Sequence, residues 1–379
     1  MANIIDNIID EIDEMTAAKS YLCDPESCKS IINQGGFSGS LKILTQNIRS
    51  INRNINSFKV LLARIDIACD LYILTETWNS KTISYPSLMN YDTYHTKYNR
   101  NQNDGLVIYV KNSLDCIIEE PIVTDATILC ILVKPNIVII AIYRSPSTRN
   151  ISTFIESFDK LLTQYKSYQN IVIIGDINID IKVNNDDTNS AEYLNLLSSH
   201  GIIKSHSYPT RCNSCLDHSM VKSKKPIATL VLNSPLTDHS AVITCLKTNK
   251  STSKEFIIKS KVDFDSLLCD IQELSFDDIL KSECANWAAG KLVNLLSTYL
   301  TKHSTRLLIP KKYHSIKPWI TAGLVRCMRN RDRMHLKSRS NPNNVILATT
   351  YKRYKNTCND LLRTLSHFST NISDFQVPF

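Results

Sequence analysis

The chain has 379 residues, of which 43% are hydrophobic and 21% are charged, and this composition excludes a wholly disordered protein. One large domain with a smaller region beside it is expected, because single cores stop growing at roughly 250–300 residues. The longest apolar runs are far shorter than the roughly 20 residues that a membrane-spanning helix needs, so we expect no membrane contact. The twelve cysteines have irregular spacing and follow no secretory signal, which is typical of reduced thiols in an intracellular protein.

The formal net charge of +8 is unevenly distributed along the chain. Residues 302–379 contain fifteen basic and three acidic side chains, whereas residues 1–40 contain seven acidic and two basic ones. A basic segment of this kind favours contact with a polyanion, because Lys and Arg side chains release counterions from nucleic acid. A solvated basic helix is the alternative that charge alone leaves open.

The N-terminal residues 1–40 predict an acidic amphipathic helix and then a flexible linker with the composition Gly, Ser and Asn at 33–40. From Leu41 onward the apolar pattern alternates between strand and helix periods. Several strands follow one another without helices between them, so the pattern predicts an α/β fold with mixed sheets covered by helices. The predicted strands are 41–47, 71–76, 106–110, 128–133, 137–143 and 170–176.

The character of the sequence changes after about residue 248, where Ser, Thr and Lys are frequent and helical spacing follows. No further convincing run of strands is present there. We therefore expect three parts, namely the N-terminal helix and linker at 1–40, the α/β domain at 41–248, and a separate, basic, mainly helical region at 249–379.

Polar side chains follow four of the predicted strands at the point where each strand ends. Asn47, Glu76 and Tyr143 each close a strand, and Asp176 with Asn178 follow the strand at 170–176. In α/β proteins the strand ends and the loops after them collect ligand-binding groups. A cap or a turn explains any one of these residues, but four strands that end in this way indicate a functional site.

Six short motifs, in this order along the chain, resemble those of the DNase I-like superfamily of endonucleases, exonucleases and phosphatases. They are Gln46-Asn47, Glu76 in Leu74–Trp78, Tyr143-Arg144-Ser145-Pro146, Gly175-Asp176-Ile177-Asn178, Leu216-Asp217-His218 and Thr237-Asp238-His239-Ser240. The segments 47–50, 76–78, 209–211 and 318–320 are similar, more narrowly, to the endonuclease of non-LTR retrotransposons. The resemblance implies a DNase I-like four-layer α/β sandwich with mixed β-sheets.

The resemblance also implies a metal-dependent phosphodiesterase. Glu76, helped by Asn47 and Asp238, would hold Mg²⁺ or Mn²⁺, since carboxylate and amide oxygens suit these ions. The ion would polarise a phosphoryl oxygen and stabilise the leaving 3′-oxygen. The implied catalytic residues are Asn47, Glu76, Tyr143, Asp176, Asn178, Asp217, Asp238 and His239.

The remaining implied roles concern the attack on phosphorus. Asp176 would orient or deprotonate the attacking water, while Asn178 and Tyr143 would donate hydrogen bonds to the phosphate. His239, held by Asp217, would stabilise the charge on the pentacovalent phosphate or handle a proton.

Four residues beside the motifs are candidates for contacts with DNA, namely Arg49, Arg144, Thr210 and Arg211. A solvated surface charge is the alternative for the arginines. The chain departs from the usual family pattern at Thr237, where Ser is common, but the hydroxyl is retained. We therefore expect the departure to preserve activity.

The pair Cys212 and Cys215, flanked by His206 and His218, is a permitted zinc-ligand set. The segment overlaps the motif that contains Asp217, and its spacing differs from that of familiar zinc fingers. Zinc binding is therefore the minor alternative for these four side chains.

Taken together, the motifs predict a DNA endonuclease that nicks one strand, leaves a 3′-hydroxyl and derives from a non-LTR retrotransposon. No polymerase motif is present, so we expect a protein truncated before the reverse transcriptase. Cleavage of an abasic site or of RNA, and a non-catalytic nucleic-acid-binding remnant, are the alternatives. We expect DNA as the partner, RNA as a further partner of the basic region, and the nucleus as the compartment that genomic DNA implies.

Overall fold

The structure is a computed structural model that describes residues 18–78, 85–97, 99–147, 151–182, 187–234, 236–248, 256–310 and 319–373. Its strands are β1 (Ala18–Cys23), β2 (Leu41–Asn47), β3 (Leu71–Thr75), β4 (Tyr91–His95), β5 (Val107–Lys111), β6 (Cys116–Glu119), β7 (Thr127–Val133), β8 (Ile137–Tyr143), β9 (Asn170–Asp176), β10 (Ile203–Lys204), β11 (Asp217–Lys222), β12 (Ile227–Leu232), β13 (Val242–Leu246), β14 (Phe256–Val262) and β15 (Ser304–Pro310). The helices of the described residues are α1 (Cys28–Gln34), α2 (Ile51–Ile65), α3 (Ser152–Gln164), α4 (Thr188–Ser199), α5 (Phe264–Gln272), α6 (Asp277–Leu280), α7 (Ala285–Lys302), α8 (Ala322–Ser340) and α9 (Val345–Ser373), with a 3₁₀ turn at Pro25–Ser27.

Two mixed sheets form the centre of the protein. Sheet A has the seven-stranded order β1-β12-β13-β2-β3-β5-β4, and sheet B has the six-stranded order β10-β11-β9-β8-β7-β6. The pairs β2/β3 and β8/β9 are parallel, while β13 and β11 run antiparallel to β2 and β9. Each sheet therefore presents the carboxyl ends of two neighbouring parallel strands at one edge.

The two sheets pack face to face between two layers of helices. Ile43 and Ile73 of sheet A share a buried cluster with Ile139 of sheet B. On the outer face of sheet A, Leu44 packs with Phe58 of α2, and sheet B packs its outer face on α3 and α4 in the same way. The strands β2, β3, β8 and β9 are covered on both faces, so they are buried along their whole length, and β8 is a continuous apolar run. The predicted four-layer α/β sandwich with mixed sheets is confirmed.

The segment before Leu41 contains more regular structure than the sequence predicts. Residues 18–23 form β1, which pairs in parallel with β12 at the edge of sheet A. Phe37, inside the expected linker, is buried in the cluster beneath α2. The predicted N-terminal helix lies mostly within residues 1–17, outside the described residues. A strand that pairs with a partner two hundred residues away has no local signal, because its sequence records only burial of alternate side chains.

Helices α8 and α9 belong to the same compact unit as the two sheets, although we expected a separate region from residue 249 onward. Val60 of α2 shares a buried cluster with Leu324 and Met328 of α8 and with Cys358 and Leu362 of α9. Arg64 of α2 also forms a buried ion pair with Asp332 of α8, with 2.6 Å between Nη1 and Oδ2. The basic C-terminal helices are therefore a further layer over α2.

Residues 251–312 form a second compact unit, of which 256–310 are described. We expected a mainly helical region here, and the unit contains strands as well as helices: β14 and β15 pair as an antiparallel two-stranded sheet, with α5, α6 and α7 between them in sequence. The two strands lie far apart in sequence, so no hairpin pattern indicates their pairing.

A search for membrane spans finds none: every helix among the described residues is too short or too polar to traverse a bilayer.

Candidate active site

The strand registers bring the predicted site residues to one edge of the sandwich. In sheet A, Asn47 pairs with Thr75, the residue before Glu76. In sheet B, Tyr143 and Asp217 are both register partners of Asp176. Stacking of the sheets then places the two sets beside each other.

Asn47 connects the two sheets through its side-chain amide. Its Nδ2 lies 2.9 Å from Oε1 of Glu76 and 2.7 Å from Oδ2 of Asp176. Asn47 and Asp176 are fully buried, and Glu76 has a backbone φ of 49°, in the left-handed region. A non-glycine residue in that region is uncommon and costs free energy, which the surrounding contacts must offset.

Gly175 fixes the close approach of β8 and β9 just before Asp176. It has a φ of 143°, and a Cβ at this position would lie 1.9 Å from the carbonyl oxygen of Ile142. Any side chain would therefore push β9 away from β8 and displace the carboxylate of Asp176. This steric restriction explains the glycine in the Gly-Asp-Ile-Asn motif.

His239 and Asp217 form a buried pair. Nδ1 of His239 lies 2.8 Å from Oδ2 of Asp217 and 4.0 Å from Oδ2 of Asp176. Burial opposes the charged imidazole, but the nearby carboxylates, first that of Asp217, outweigh it and raise the pKa of His239 to about 9. Nε2 of His239 and Oδ1 of Asp217 are buried without a hydrogen-bond partner among the described residues. Buried polar atoms without a partner are rare, and at a strand-end cluster they indicate that a ligand binds there.

Asp176 lies in an environment that disfavours its charge. Burial, together with the carboxylate of Asp217, raises the pKa of Asp176 to about 7, while His239 and the amide of Asn47 oppose the rise. Perturbed carboxyl groups of this kind occur mainly at functional sites, although structural ion-pair networks produce them too.

Three uncharged side chains orient the charged ones. The hydroxyl of Thr237 donates to the carbonyl of Asn47 at 2.9 Å and accepts from the backbone N–H of His239 at 3.1 Å. Nε2 of Gln46 donates to the carbonyls of Asn47 and His239. The hydroxyl of Thr210 accepts from the backbone N–H of Asp217 at 2.9 Å. Thr210, predicted to contact DNA, is 2% exposed, so its position favours a positioning role.

Arg49 lies between the two carboxylates that the sequence predicts as metal ligands. Its Nε lies 3.7 Å from Oε2 of Glu76, and its Nη1 lies 2.9 Å from Oδ1 of Asp238. The other oxygen of Asp238 lies 3.0 Å from Nε of Arg211. A position that holds a guanidinium between carboxylates also suits a metal cation with hard oxygen ligands. Asp238 must exchange its arginine contacts to bind such an ion.

A second acidic group, formed by Asp176, Asp217 and His239, has ligand atoms within 4.8 Å of one another. It is the one cluster of His, Cys, Asp and Glu with metal-binding spacing among the described residues. A histidine ligates a metal only as a neutral imidazole, whereas the carboxylates around His239 raise its pKa to about 9 and so favour the charged ring. The donor chemistry therefore favours Glu76, with Asn47 and Asp238, as the metal ligands.

The site opens into a cleft of about 730 Å³. Its lining includes Glu76, Tyr143 and Asp238, and burial raises the pKa of the Tyr143 phenol, which therefore stays protonated as a donor. Sequence reasoning missed several of the lining residues, because no local motif marks them. The lining residues are Arg49, Arg53, Asn54, Glu76, Trp78, Asn101, Gln102, Asn103, Tyr143, Ser145, Pro146, Ser147, Arg211, Leu236, Thr237, Asp238, Lys355 and Asn359.

Seven predicted residues are not part of the cleft lining: Asn47, Asp176, Thr210, Asp217 and His239 are buried, and Arg144 and Asn178 lie at a neighbouring cavity. Nδ2 of Asn178 donates to the carbonyl of Arg144 at 2.8 Å, and both residues line a neighbouring cavity of about 310 Å³. Arg144 is 2% exposed, and its guanidinium lies 5.6 Å from the ring centroid of Phe154. Its position differs from that expected of a DNA contact, because its charge is covered by protein.

The four Cys and His side chains around residue 212 do not form a zinc site. Cys212 is exposed, whereas Sγ of Cys215 is buried at 3.9 Å from Nδ1 of His206. Nε2 of His218 donates to the carbonyl of Ile179 at 2.8 Å. His218 is therefore a hydrogen-bonded core residue.

Comparison with known proteins gives a match by structure only. No protein-family model matches the chain, and no curated protein matches its sequence. A 3′-5′ exonuclease from Neisseria meningitidis superposes with a TM-score of 0.45 at 16% identity, covering 55% of this chain and 100% of the exonuclease. The endonuclease domain of a telomere-specific non-LTR retrotransposon gives 0.45 at 15% identity, with 56% and 100% covered. An AP endonuclease from Leishmania major gives 0.48 at 10% identity, with 62% and 95% covered.

At identities of 10% to 16%, the likeness of these structures concerns the fold and assigns no substrate to this chain.

Proposed function

We propose that this chain is a metal-dependent endonuclease that cuts one strand of DNA and leaves a 3′-hydroxyl. The observation that carries the proposal is the contact of one amide, that of Asn47, with the carboxylates of Glu76 and Asp176, beside the buried His239–Asp217 pair. Grouped buried carboxylates destabilise a fold, so their assembly at converging strand ends favours a catalytic role.

The reaction is a hydrolysis at phosphorus. Water adds to the phosphorus atom and the bond from phosphorus to O3′ breaks. One proton of the water passes to Asp176, which later releases it to solvent, and the departing O3′ takes up a proton from solvent. The products are a 3′-hydroxyl on one fragment and a 5′-phosphate on the other.

Each side chain has a role that suits its position. Asp176 orients and deprotonates the water. His239, held by Asp217, donates a hydrogen bond from Nε2 to the phosphate, where charge increases in the transition state. Tyr143 donates from the wall of the cleft. Mg²⁺ or Mn²⁺, held by Glu76 with Asn47 and Asp238, would supply Lewis-acid stabilisation of the phosphate and of the leaving oxygen.

The narrower features of the proposal rest on the sequence motifs. Descent from a non-LTR retrotransposon is supported by the segments 47–50, 76–78, 209–211 and 318–320. A genomic DNA substrate implies a nuclear location. Arg49 and Arg211, which line the cleft, are the predicted residues best placed for contacts with DNA.

The experiment is an analysis of product ends. Supercoiled plasmid is incubated with the protein and Mg²⁺, and the open-circular product is then treated with DNA ligase. We expect an open circle that ligase seals, because ligase requires a 3′-hydroxyl and a 5′-phosphate. The exposed-residue variant Asp92→Asn should give the same product, and Asp176→Asn should give none. An open circle that ligase cannot seal would refute the proposed end chemistry.

A further inference from the structure

One face of α9 forms part of the wall of the cleft. Lys355 and Asn359, one helical turn apart, line it together with Glu76, Tyr143 and Asp238. None of the sequence motifs includes this helix. A side chain from the basic C-terminal segment thus lies beside the residues that we propose to cut DNA.

The helix is fixed in this position from two sides. The buried cluster of Val60 with residues of α8 and α9 holds the helix pair on α2. At the end of α8, Nη2 of Arg339 donates to the carbonyl of Cys212 at 2.5 Å, next to Arg211 of the cleft. The wall is therefore part of the fold.

Two cations of the cleft, Arg53 and Lys355, are outside the ion pairs that the described residues form. Arg49 and Arg211 form ion pairs with Asp238. Arg53 and Lys355 form no ion pair with a carboxylate among the residues that the structure describes, although Asp238 acts on Lys355 from a greater distance. Burial and the neighbouring charge of Arg331 lower the pKa of the half-buried Lys355. An unpaired, partly desolvated ammonium is stabilised when an anion binds beside it.

We propose that α9 is the second wall of a DNA-binding cleft and that Lys355 binds a backbone phosphate of duplex DNA next to the phosphate that is cut. Arg53, on the adjoining helix α2, contacts the same strand. The choice of a polyanion follows from two cations, Arg53 and Lys355, that line one cleft with Glu76 and Asp238 and form no ion pair among the described residues. The inference rests on the proposed function only for the identity of the neighbouring phosphate.

The test compares Lys355→Met with Lys352→Met, an exposed lysine of the same helix that does not line the cleft. Methionine keeps most of the apolar stem, and the melting temperature verifies that each variant folds. Binding of a fluorescent DNA duplex is measured by anisotropy in EDTA, so that no cleavage occurs, at several salt concentrations.

We expect Lys355→Met to weaken binding by about 10-fold and to reduce the slope of log K against log[salt] by about 0.9, the value for one phosphate contact. Lys352→Met should leave both unchanged, and Lys355→Arg should retain most of the binding. Equal losses for the two methionine variants, or an unchanged slope for Lys355→Met, would overturn the proposal. A loss of binding to duplex RNA but not to DNA would also overturn it.

Failure of this proposal is distinct from failure of the proposed function. If the protein binds DNA through Lys355 but never nicks plasmid, the proposed DNA-binding role of α9 stands and the proposed endonuclease activity is refuted. If the wild type nicks plasmid and Lys355→Met binds DNA as tightly as the wild type does, the endonuclease activity stands and the role of Lys355 is refuted.

Discussion

Nδ2 of Asn47 lies 2.7 Å from Oδ2 of Asp176, so one hydrogen bond joins the carboxyl end of β2 in sheet A to that of β9 in sheet B. The same nitrogen contacts Glu76 at 2.9 Å. A neutral donor between two carboxylates reduces their mutual repulsion, and hydrogen bonds to charged groups are stronger than those to neutral ones. The amide of Asn47 therefore joins the two sheets at the site, together with the contact of His239 with Asp217.

Replacement of Asn47 by Asp removes this donor and adds a carboxylate between two others. We expect Asn47→Asp to lower the free energy of unfolding by roughly 2 kcal/mol or more, because two charge-assisted hydrogen bonds become repulsive contacts. Nicking should become undetectable. Urea unfolding and plasmid nicking measure the two effects, with the exposed Asn112→Asp as the control. A variant as stable and active as the wild type would show that the amide has no such role.

Thr237 occupies the position where the resembling family usually has Ser. Thr237→Ser keeps the hydroxyl that contacts Asn47 and His239, so we expect its nicking rate to stay within a few-fold of the wild type. Thr237→Val has nearly the same shape but leaves the carbonyl of Asn47 and the N–H of His239 without this partner. A loss of about 1–3 kcal/mol corresponds to a rate roughly 10- to 100-fold lower. Equal rates for the Ser and Val variants would exclude a positioning role for the hydroxyl.

Removal of the guanidinium between Glu76 and Asp238 should favour cation binding there. We expect Arg49→Gln to bind Mn²⁺ roughly 3- to 10-fold more tightly than the wild type, because a competing positive charge is lost near partly exposed carboxylates. Electron paramagnetic resonance of free Mn²⁺ measures this affinity without reference to activity. Arg53→Gln, which removes a cation that pairs with neither carboxylate, is the matched control. Weaker Mn²⁺ binding by Arg49→Gln would contradict the assignment of these carboxylates as ligands.

Acid should loosen the contact between the 3₁₀ turn and helices α2 and α8. Burial opposes ionisation of Glu26, but hydrogen bonds from Arg64 and Arg329 outweigh it and lower the pKa of Glu26 to about 2, from an ordinary 4.5. Because the folded-state pKa is depressed, this stabilisation is complete above about pH 4.5 and is lost as the pH falls towards 2.

The measurement is the free energy of unfolding between pH 5 and pH 2 for the wild type and for Glu26→Gln. We expect the wild type to lose more stability over this range, since the glutamine has no proton to gain. Parallel curves for the two proteins would mean that Glu26 binds its arginines too weakly to depress its pKa.

The strand-end residues of the site could be predicted from the sequence because their signal is local. An apolar run followed by Asn47, or by Asp176, records both the burial of the strand and the reactive side chain at its end. Strands that follow one another without helices between them, and amphipathic helices elsewhere, predict the helix-covered mixed sheets. The order of the motifs adds the contact between Asp217 and His239, which lie twenty-two residues apart in sequence.

The rest of the site depends on contacts that leave no local pattern. Lys355 reaches the cleft because Leu324, Met328 and Leu362 bury α8 and α9 against α2, and the sequence shows only a basic helical segment. The position of Arg144 in sequence, next to Tyr143, predicts a phosphate contact, but its guanidinium packs over the ring of Phe154. Tertiary packing determines which side of a helix or strand end faces the protein, and it therefore determines whether Lys355 and Arg144 are available to bind DNA.

The measurement that tests the central claim most directly is the single-turnover rate at which the full chain nicks supercoiled plasmid in Mg²⁺, compared between wild type and Asp176→Asn. We expect a rate that EDTA abolishes and that Asp176→Asn lowers by at least about 100-fold, since removal of a general base costs typically 10²–10⁴-fold. Folding of the variant is verified by its melting temperature. Nicking by a folded Asp176→Asn variant at the wild-type rate, or a wild type that binds DNA and never cuts it in Mg²⁺ or Mn²⁺, would contradict the account.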